Sequence, residues 1–441
     1  MLNGDRTYVG FGFGAIQAGL FLQEAFHSRA FSRLVVAEID PKTVGSLRAG
    51  GNHFMLNIAH SDRIESVRIG PVEVFNPNDE RDQKHLIAAV AAASEIGTAI
   101  PNVGGYDCGG EGSLRQVLAD GLRMKAAGGG PACVVYAAEN HNHAAEILEA
   151  RVREAVPPDL EDDTFRNVCF LNTVIGKMSG LITAPTEMRE LNLSPVTPGE
   201  AKAFLVEAFN RILISRIPPG FNTRVQRGIR TFIEKDDLLP FEEAKLYGHN
   251  ATHALAGYIG AMLGTERVSD LRSRPDILSF LADAFILESG AALIRKHGGM
   301  DPLFTPEGYR RYAEDLLERM FNPFLNDRIE RVIRDTPRKL GWDDRLIGTM
   351  RLAASRGVGS GRYAFGAAAA LVHLTPSLLS GERMTAAMLS GIWTGSGGEA
   401  AERSQVIEQV DSALTRLNEW RNRGFPDLQK FFAMTPNKTN Q

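Results

Sequence analysis

Short apolar runs alternate with longer amphipathic stretches over the first part of the chain. The runs rich in β-branched and aromatic residues occupy residues 7–12, 34–40, 95–100 and 132–138. Runs of this length and composition predict buried strands. Between them, residues 85–94 and 114–126 repeat apolar positions at helical spacing. Strands that alternate with helices predict a mainly parallel sheet covered by helices, which is an α/β fold.

The pattern changes near residue 195. Thr197, Pro198 and Glu200 have the residue types and spacing of an N-cap, an N1 proline and an N3 glutamate, which predict the start of a helix. Helical periodicity then continues almost to the end of the chain. We therefore expect an α/β domain over residues 1–195, a mostly α-helical domain over 196–433 and a flexible tail over 434–441.

Composition narrows the classes of partner. The chain has 441 residues, of which 44% are hydrophobic, and its 49 basic and 53 acidic residues give a net charge of -4. This content supports two cores, and the absence of a basic run argues against nucleic acid. We expect a small-molecule ligand and a monomer or small homo-oligomer. No uninterrupted apolar run approaches the roughly 18 residues of a membrane span, so no membrane partner is expected.

Cysteine usage bears on compartment and metal. Cys108, Cys133 and Cys169 are odd in number and form no C-x-x-C pair, which argues against disulfides and a structural zinc site. The two histidines of HNH at residues 141–143 are spaced for different faces of a helix. We expect a reducing, cytoplasmic compartment and no metal. The apolar stretch at the start of the chain is interrupted by glycines and fits a strand and helix better than a secretion signal.

A glycine-rich turn follows the first predicted strand. Gly12, Gly14 and Gly19 form G-x-G-x4-G between this strand and the first predicted helix. Glycines there let the backbone approach a pyrophosphate, which the helix N-terminus attracts. The alternative is a turn that serves strand–helix packing alone. The cofactor contacts expected from this Rossmann-type arrangement are Gly12, Gly14, Ala15, Ile16, Gly19, Glu38 and Thr98.

Glu38 ends the second predicted strand. A carboxylate at this position accepts hydrogen bonds from an adenosine ribose and repels a 2'-phosphate, so NAD is favoured over NADP. Asp40, two residues further on, is able to share or replace this role.

Polar residues cluster in the segment KLYGHNATH at residues 245–253, directly before an apolar run. If residues 241–263 form one α-helix, the spacing of Lys245, Asn250 and His253 places all three within one polar arc of its surface. A half-buried lysine is suited to proton transfer, and an asparagine amide can donate to a developing alkoxide. The alternative is that these are structural residues of a weakened helix.

The segment PFEEAKLYGHNATHALAGYIG resembles the signature of the polyol-specific long-chain dehydrogenases and reductases, the mannitol dehydrogenase family, whose motif is Lys-x4-Asn-x2-His. Residues 288–298 and 322–340 resemble later blocks, closest to the mannitol-1-phosphate 5-dehydrogenase branch, and AAEN at 137–140 is similar to the family's Cys-(Asp/Glu)-Asn. The resemblance runs from the glycine turn to about residue 375. It implies a Rossmann-type domain followed by a helical domain and an NAD-dependent oxidoreductase that uses no metal.

The resemblance also implies roles for individual residues. Lys245 would be the general acid/base, Asn140 and Asn250 would hold the substrate oxygen, and His253 would orient the substrate. Glu242 would pass protons between the lysine and solvent, although in the phosphate branch the acid resembles Glu243 more closely. A uronate, aldonate or free polyol substrate, or a protein that binds NAD without turnover, remains the alternative function.

Two features depart from the family. Val174, Ile175, Gly176, Lys177 and Met178 stand where most members have Val-Asp-Arg-Ile, and residues 104–112 resemble an inserted, flexible glycine-rich loop. A phosphate on the substrate is suggested by a basic cluster whose arginines would share one helix face. The expected contacts are Arg331, Arg334, Arg338, Lys339 and Lys177. The alternative is a face neutralised by Asp327, Glu330 and Asp335.

Overall fold

The computed structural model describes residues 6–380 and 382–434, and these divide into two compact units that meet in sequence at Leu239 and Pro240. The expected boundary near residue 195 is therefore corrected. The predicted tail at 434–441 lies outside the described residues, apart from Met434.

The first unit is an α/β domain whose strands lie in two sheets. The strands are β1 Thr7–Phe11, β2 Arg33–Ala37, β3 Phe54–Ala59, β4 Ile64–Ile69, β5 Glu73–Phe75, β6 Ala93–Thr98, β7 Cys133–Ala137, β8 Val168–Val174, β9 Ser179–Ile182, β10 Ala203–Glu207, β11 Leu213–Ser215 and β12 Ile233–Lys235. The larger sheet has the order β12-β11-β8-β7-β6-β1-β2-β5, and all its neighbouring strands from β8 to β5 are parallel. The predicted parallel sheet is confirmed.

Helices cover this sheet. They are α1 Gln23–Ser28, α2 Pro41–Ala49, α3 Glu80–Ala92, α4 Leu114–Ala127, α5 Ala144–Glu154, α6 Glu161–Phe165 and α7 Pro185–Glu190. A π-helical segment, Gln17–Leu22, runs directly into α1, so helical structure follows the glycine turn as predicted. Alternate residues of β1 serve two cores: Tyr8 packs on one face, and Val9 and Phe11 pack with α3, α4 and α5 on the other.

Residues 196–239 belong to the first unit. β10 lies between β3 and β9 in a four-stranded sheet of order β4-β3-β10-β9, and β11 and β12 extend the larger sheet. The predicted helix start at Thr197 is wrong, since no helix is assigned between residues 191 and 210. Every residue of β10 is buried, and Phe204 packs edge-on against Phe13. Strand burial thus overrides a local helix signal.

The second unit is helical. Its α-helices are α8 Leu239–Glu243, α9 Ala251–Leu263, α10 Pro275–Asp283, α11 Ala291–His297, α12 Pro306–Met320, α13 Ile329–Ile333, α14 Thr336–Lys339, α15 Ile347–Ser355, α16 Gly361–Leu374, α17 Ala386–Ser390, α18 Ala400–Asn422 and α19 Leu428–Met434. Two further π segments, Ala244–Asn250 and Ala284–Gly290, connect α8 to α9 and α10 to α11. An α/β unit followed by a mostly helical unit confirms the predicted fold class.

One helical run, Pro275–His297, is long and apolar enough by length and composition to cross a membrane, with a mean hydropathy of 1.8. More than half of it is buried inside the protein. It also carries Asp283 and Glu288, whose carboxylates accept hydrogen bonds from Arg362 at 2.8 and 3.3 Å. These features are those of a core helix.

Candidate active site

The three glycines of the turn after β1 differ in how much space surrounds them. Gly12 has a φ of 81°, and a Cβ there would lie 2.8 Å from the carbonyl oxygen of Ala99. A Cβ on Gly14 would have no neighbour within 4 Å, whereas one on Gly19 would lie 2.6 Å from Val206. Gly12 therefore suits a tight turn, Gly14 leaves the backbone open to a ligand, and Gly19 allows close helix–strand packing.

Glu38 lies beside this turn. One carboxylate oxygen accepts the backbone N–H of Phe13 at 3.0 Å, and the other accepts that of Asp40 at 2.8 Å. The Asp40 carboxylate caps α2, because it accepts the N–H groups of Lys42 and Thr43 at 3.1 and 3.2 Å. Glu38, rather than Asp40, is therefore the acidic side chain held against the glycine turn.

Thr98 does not lie on an open surface. It is fully buried, and its hydroxyl donates to Glu139 at 2.9 Å. The hydroxyl therefore serves the end of β6, which corrects the expectation of a cofactor contact.

Lys245 lies in the π segment of a continuous helical run from Leu239 to Leu263. The prediction of one α-helix over 241–263 is wrong in this respect, and the arc predicted from α-helical geometry does not apply because a π segment hydrogen-bonds from i to i+5. Gly248 permits close packing here, since a Cβ would lie 2.5 Å from the Tyr309 hydroxyl and 2.7 Å from Phe285.

The environment of Lys245 favours its neutral form. Burial lowers the pKa of Lys245 to about 8, the carboxylate of Glu242 opposes this change, and the positive charge of Arg345 adds to it. A lysine whose pKa is near 8 is neutral often enough at physiological pH to accept a proton.

The two candidate acids before Lys245 differ in their partners. Glu243 accepts hydrogen bonds from Lys296 at 2.6 Å and His297 at 2.7 Å, both on α11. Glu242 is half-buried and is the carboxylate whose charge acts on Lys245. The structure therefore favours Glu242 as the acid coupled to the lysine.

His253 is held by a buried carboxylate. Its Nε2 lies 2.7 Å from Asp327, which also accepts hydrogen bonds from Arg331 at 2.7 and 3.0 Å. Burial alone would raise the pKa of Asp327, but His253 and Arg331 together lower that pKa to about 2. Asn250 is half-buried, and its side chain makes no capping hydrogen bond to α9.

His249 was missed as a site residue in the sequence. It is buried between Lys245 and His253 along the same helical run, and the rings of His249 and His253 have centroids 6.2 Å apart. Within the described part of the chain, its Nδ1 has no hydrogen-bond partner. Burial, followed by nearby positive charges, holds the pKa of His249 well below its ordinary value. The signal was its spacing of four residues from both neighbours.

The predicted arginine face does not exist. α13 ends at Ile333, Asp335 has a left-handed backbone with a φ of 60°, and α14 begins at Thr336 with a proline in its first turn. Arg331, Arg334 and Arg338 are therefore not on one helix, which is the correction to that expectation. Arg331 is bound to Asp327, and Arg338 forms an ion pair with Asp335 at 3.0 Å.

The two lysines of the predicted basic cluster are both buried. Lys339 donates to the carbonyl of Arg334, and burial, Arg345 and Arg338 lower the pKa of Lys339 to about 8. Lys177 lies in the first unit and donates to the carbonyls of Glu207 and Phe209 at 2.5 and 3.1 Å and to the side chain of Asn210. Its ammonium thus ties the segment between β8 and β9 to the end of β10 and the residues after it, which corrects the expectation of a substrate contact.

Asn140 follows β7 and is exposed. It is the central residue of a tight turn in which the N–H of His141 donates to the carbonyl of Glu139 at 2.7 Å.

Among residues 6–380 and 382–434, no group of histidine, cysteine and acidic side chains is arranged to hold a metal ion.

The glycine-rich segment 104–112, which was expected to be a flexible loop, contains short helical turns and anchoring contacts. It contains the 3₁₀ turns Val103–Asp107 and Gly110–Gly112, and Tyr106 is fully buried. Asp107 forms ion pairs with Arg115 at 3.3 Å and Arg151 at 3.5 Å. The side chains of Tyr106 and Asp107 thus attach a segment whose composition alone suggested flexibility.

The first unit is Rossmann-type, with a glycine turn and an acidic residue at a strand end. The second unit is helical and carries a lysine, an asparagine and a histidine on one helical run. These are the features of a two-domain dehydrogenase. The family model of the mannitol dehydrogenase C-terminal domain matches residues 237–419. Those residues are a mannitol dehydrogenase C-terminal domain, and the resemblance of the chain to the mannitol dehydrogenase family is confirmed.

Curated relatives cover nearly the whole chain. The mannitol-1-phosphate 5-dehydrogenase of Paenarthrobacter aurescens is 27% identical over 96% of this chain and 97% of its own length. That of Brevibacillus brevis is 26% identical, with coverage of 93% and 98%.

Solved structures share the fold. The mannitol 2-dehydrogenase of Pseudomonas fluorescens, in a ternary complex with NAD and D-mannitol, is 16% identical with a TM-score of 0.68, covering 98% of this chain and 95% of that one. A substrate-free D-sorbitol dehydrogenase is 17% identical with a TM-score of 0.72, covering 96% and 95%.

Proposed function

We propose that this chain is an NAD-dependent oxidoreductase that interconverts a sugar alcohol, namely a hexitol phosphate such as mannitol 1-phosphate, and the corresponding ketose phosphate. The observation that carries this proposal is Lys245, whose lowered pKa accompanies Asn250 and His253 on one helical run of a mannitol dehydrogenase C-terminal domain. These side chains supply a base, an amide donor and an oriented imidazole.

The first unit fits NAD. The open space at Gly14 and the N–H groups of the following helical turn suit a pyrophosphate, while Glu38 suits the hydroxyls of a ribose and disfavours a 2'-phosphate. When bound, NAD supplies the acceptor for the hydride that leaves the alcohol carbon.

The residues of the second unit manage the proton and the oxygen. In alcohol oxidation, neutral Lys245 takes the hydroxyl proton and becomes an ammonium, and the Asn250 amide donates to the oxygen as negative charge develops on it. The family pattern gives Asn140 the same task. His253, fixed by Asp327, orients the substrate, and Glu242 returns the lysine proton to solvent.

A phosphorylated substrate is supported by the names of the curated relatives and by positive charge in the second unit. Arg345, which forms an ion pair with Asp344 at 2.7 Å, lowers the pKa of both Lys245 and Lys339, so its positive charge acts on two lysines there. Such a concentration of charge favours a bound anion. A free polyol is the second candidate, because Arg331 and Arg338 are bound to aspartates. An aldonate or uronate remains within the same class.

The test is a panel of substrates. NADH formation is followed with hexitol phosphates, the matching free hexitols and aldonates at equal concentrations, and NAD binding is titrated separately. We expect the highest kcat/KM with a hexitol phosphate. Preference for the free hexitol would select the second candidate, whereas NAD binding without turnover of any substrate would indicate a binding protein.

The phosphate is assigned with two charge-matched variants. Arg345→Gln and Arg338→Gln each remove one positive charge and one ion pair, that of Arg345 with Asp344 at 2.7 Å and that of Arg338 with Asp335 at 3.0 Å, but Arg345 is half-buried whereas Arg338 is exposed. We expect Arg345→Gln to raise the KM for the hexitol phosphate by about tenfold or more and to change that for the free hexitol much less, whereas Arg338→Gln should alter neither. Equal effects of both variants would argue against the assignment.

A further inference from the structure

Glu139, the residue before Asn140, is a buried carboxylate at the ends of β6 and β7. One of its oxygens accepts the hydroxyl of Tyr106 at 2.6 Å and that of Thr98 at 2.9 Å. The other accepts the backbone N–H of Ile100 at 3.0 Å. Hydrogen bonds to an ionised acceptor are stronger than those between neutral groups, so these three donors fix the carboxylate firmly.

The same bonds restrain Asn140. The N–H of Ala138 donates to the carbonyl of Thr98 at 3.0 Å, and the tight turn around Asn140 is closed by the His141 N–H. The buried side chain of Glu139 is thus covalently adjacent to an exposed amide whose backbone is held on both sides. A change in the backbone position of Glu139 would therefore move Asn140.

Tyr106 joins this anchor to the glycine-rich segment. Burial and the neighbouring carboxylate of Glu139 raise the pKa of Tyr106, so its hydroxyl remains a donor through the neutral range. The hydroxyl also lies 3.4 Å from the carbonyl of Ala144, beyond the Asn140 turn. The segment therefore braces both sides of that turn.

We infer that Tyr106 and Glu139 are positioning residues that fix the turn presenting Asn140 to the substrate oxygen, with the glycine-rich segment 104–112 as a rigid brace. The role at the oxygen rests on the proposed function, but the physical coupling between the segment and the turn does not. Neither residue needs to touch the substrate, because both act through Asn140.

A matched pair of tyrosine variants tests this coupling. Tyr106→Phe removes one donor from Glu139, and Tyr136→Phe removes a similar donor, since the Tyr136 hydroxyl donates to the buried Glu95 at 2.9 Å in the same sheet. We expect Tyr106→Phe to lower kcat by roughly tenfold while the KM for NAD changes less than about twofold. Tyr136→Phe should lower the unfolding midpoint comparably and retain kcat.

Hydrogen exchange gives a readout that does not need turnover. Tyr106→Phe should accelerate amide exchange in both 100–112 and 138–144, and Tyr136→Phe in neither. Faster exchange confined to 103–107, or equal losses of kcat in the two variants, would overturn the inference. If the wild-type protein oxidises no polyol, the proposed function fails, while coupled exchange still supports the brace.

Discussion

The pKa of Lys245 can be moved in either direction by removing one neighbouring charge. Glu242 raises this pKa, and Arg345 lowers it. Glu242→Gln should therefore shift the pH dependence of alcohol oxidation to lower pH, and Arg345→Gln should shift it to higher pH. Glu243→Gln is the matched control, because Glu243 is bound to Lys296 and His297.

The magnitudes follow from the lysine's environment. The difference between the ordinary 10.5 and a pKa of about 8 for Lys245 corresponds to about 3 kcal/mol. At pH 7.5 an ordinary lysine is neutral in about one molecule in a thousand, whereas one with a pKa of about 8 is neutral in about a quarter. A single partly screened charge contributes on the order of 1 kcal/mol, so each variant should move the profile by about 0.5 to 1 pH unit.

The assay is kcat/KM for NADH formation from pH 6 to 10. Because the base must be neutral, the wild-type rate should rise with pH and level off above about 8. Opposite shifts for Glu242→Gln and Arg345→Gln, with none for Glu243→Gln, would support the assignment. Shifts in the same direction, or a wild-type midpoint near 10.5, would refute the reasoning.

Three further predictions concern the cofactor, the oxygen and the helix. The wild-type protein should bind NAD more tightly than NADP, and Glu38→Gln should reduce the ratio of the two affinities by about tenfold. An unchanged ratio in titrations of both cofactors would contradict this role of Glu38. Asn250→Ala should lower kcat by roughly 10²-fold with the KM for NAD preserved; a near-normal kcat would exclude an amide donor. Gly248→Ala should destabilise the fold by about 1–3 kcal/mol in denaturant unfolding, since its Cβ would meet Tyr309, whereas Gly45→Ala, in α2 with open space around its Cβ, should stabilise the fold by up to about 1 kcal/mol.

The sequence predicted the features that local pattern determines. The strands β1, β2 and β7 are largely apolar runs because both faces of the sheet are covered, whereas the buried strand β6 also contains Ser94, Glu95 and Thr98. The glycine turn and the acidic strand end follow from backbone geometry. The residues directly before β10 instead carry helix-start signals, and only pairing of β10 with β3 and β9, which are distant in sequence, determines the strand conformation.

The residue types of the candidate site could be predicted from the sequence, but their arrangement in space could be predicted less well. Lys245, Asn250 and His253 share a helical run, but the π segment depends on packing around Gly248 that spacing does not encode. The prediction that the arginines share one helix face was wrong because Asp335 adopts a left-handed backbone between two short helices. Lys177 was misassigned, because two of its partners are backbone carbonyls and the third is the side chain of Asn210, 33 residues away, which no local sequence pattern reveals.

Lys245→Ala tests the central claim most directly. Its rate of NADH formation from a hexitol phosphate is compared with those of the wild-type protein and of Lys296→Ala, which removes a lysine bound to Glu243 in the same unit. We predict that Lys245→Ala retains NAD binding and loses at least about 10²-fold in kcat, that a small primary amine restores part of the rate, and that Lys296→Ala stays near the wild type. Near-normal turnover by Lys245→Ala without added amine would contradict the assignment of Lys245 as the base.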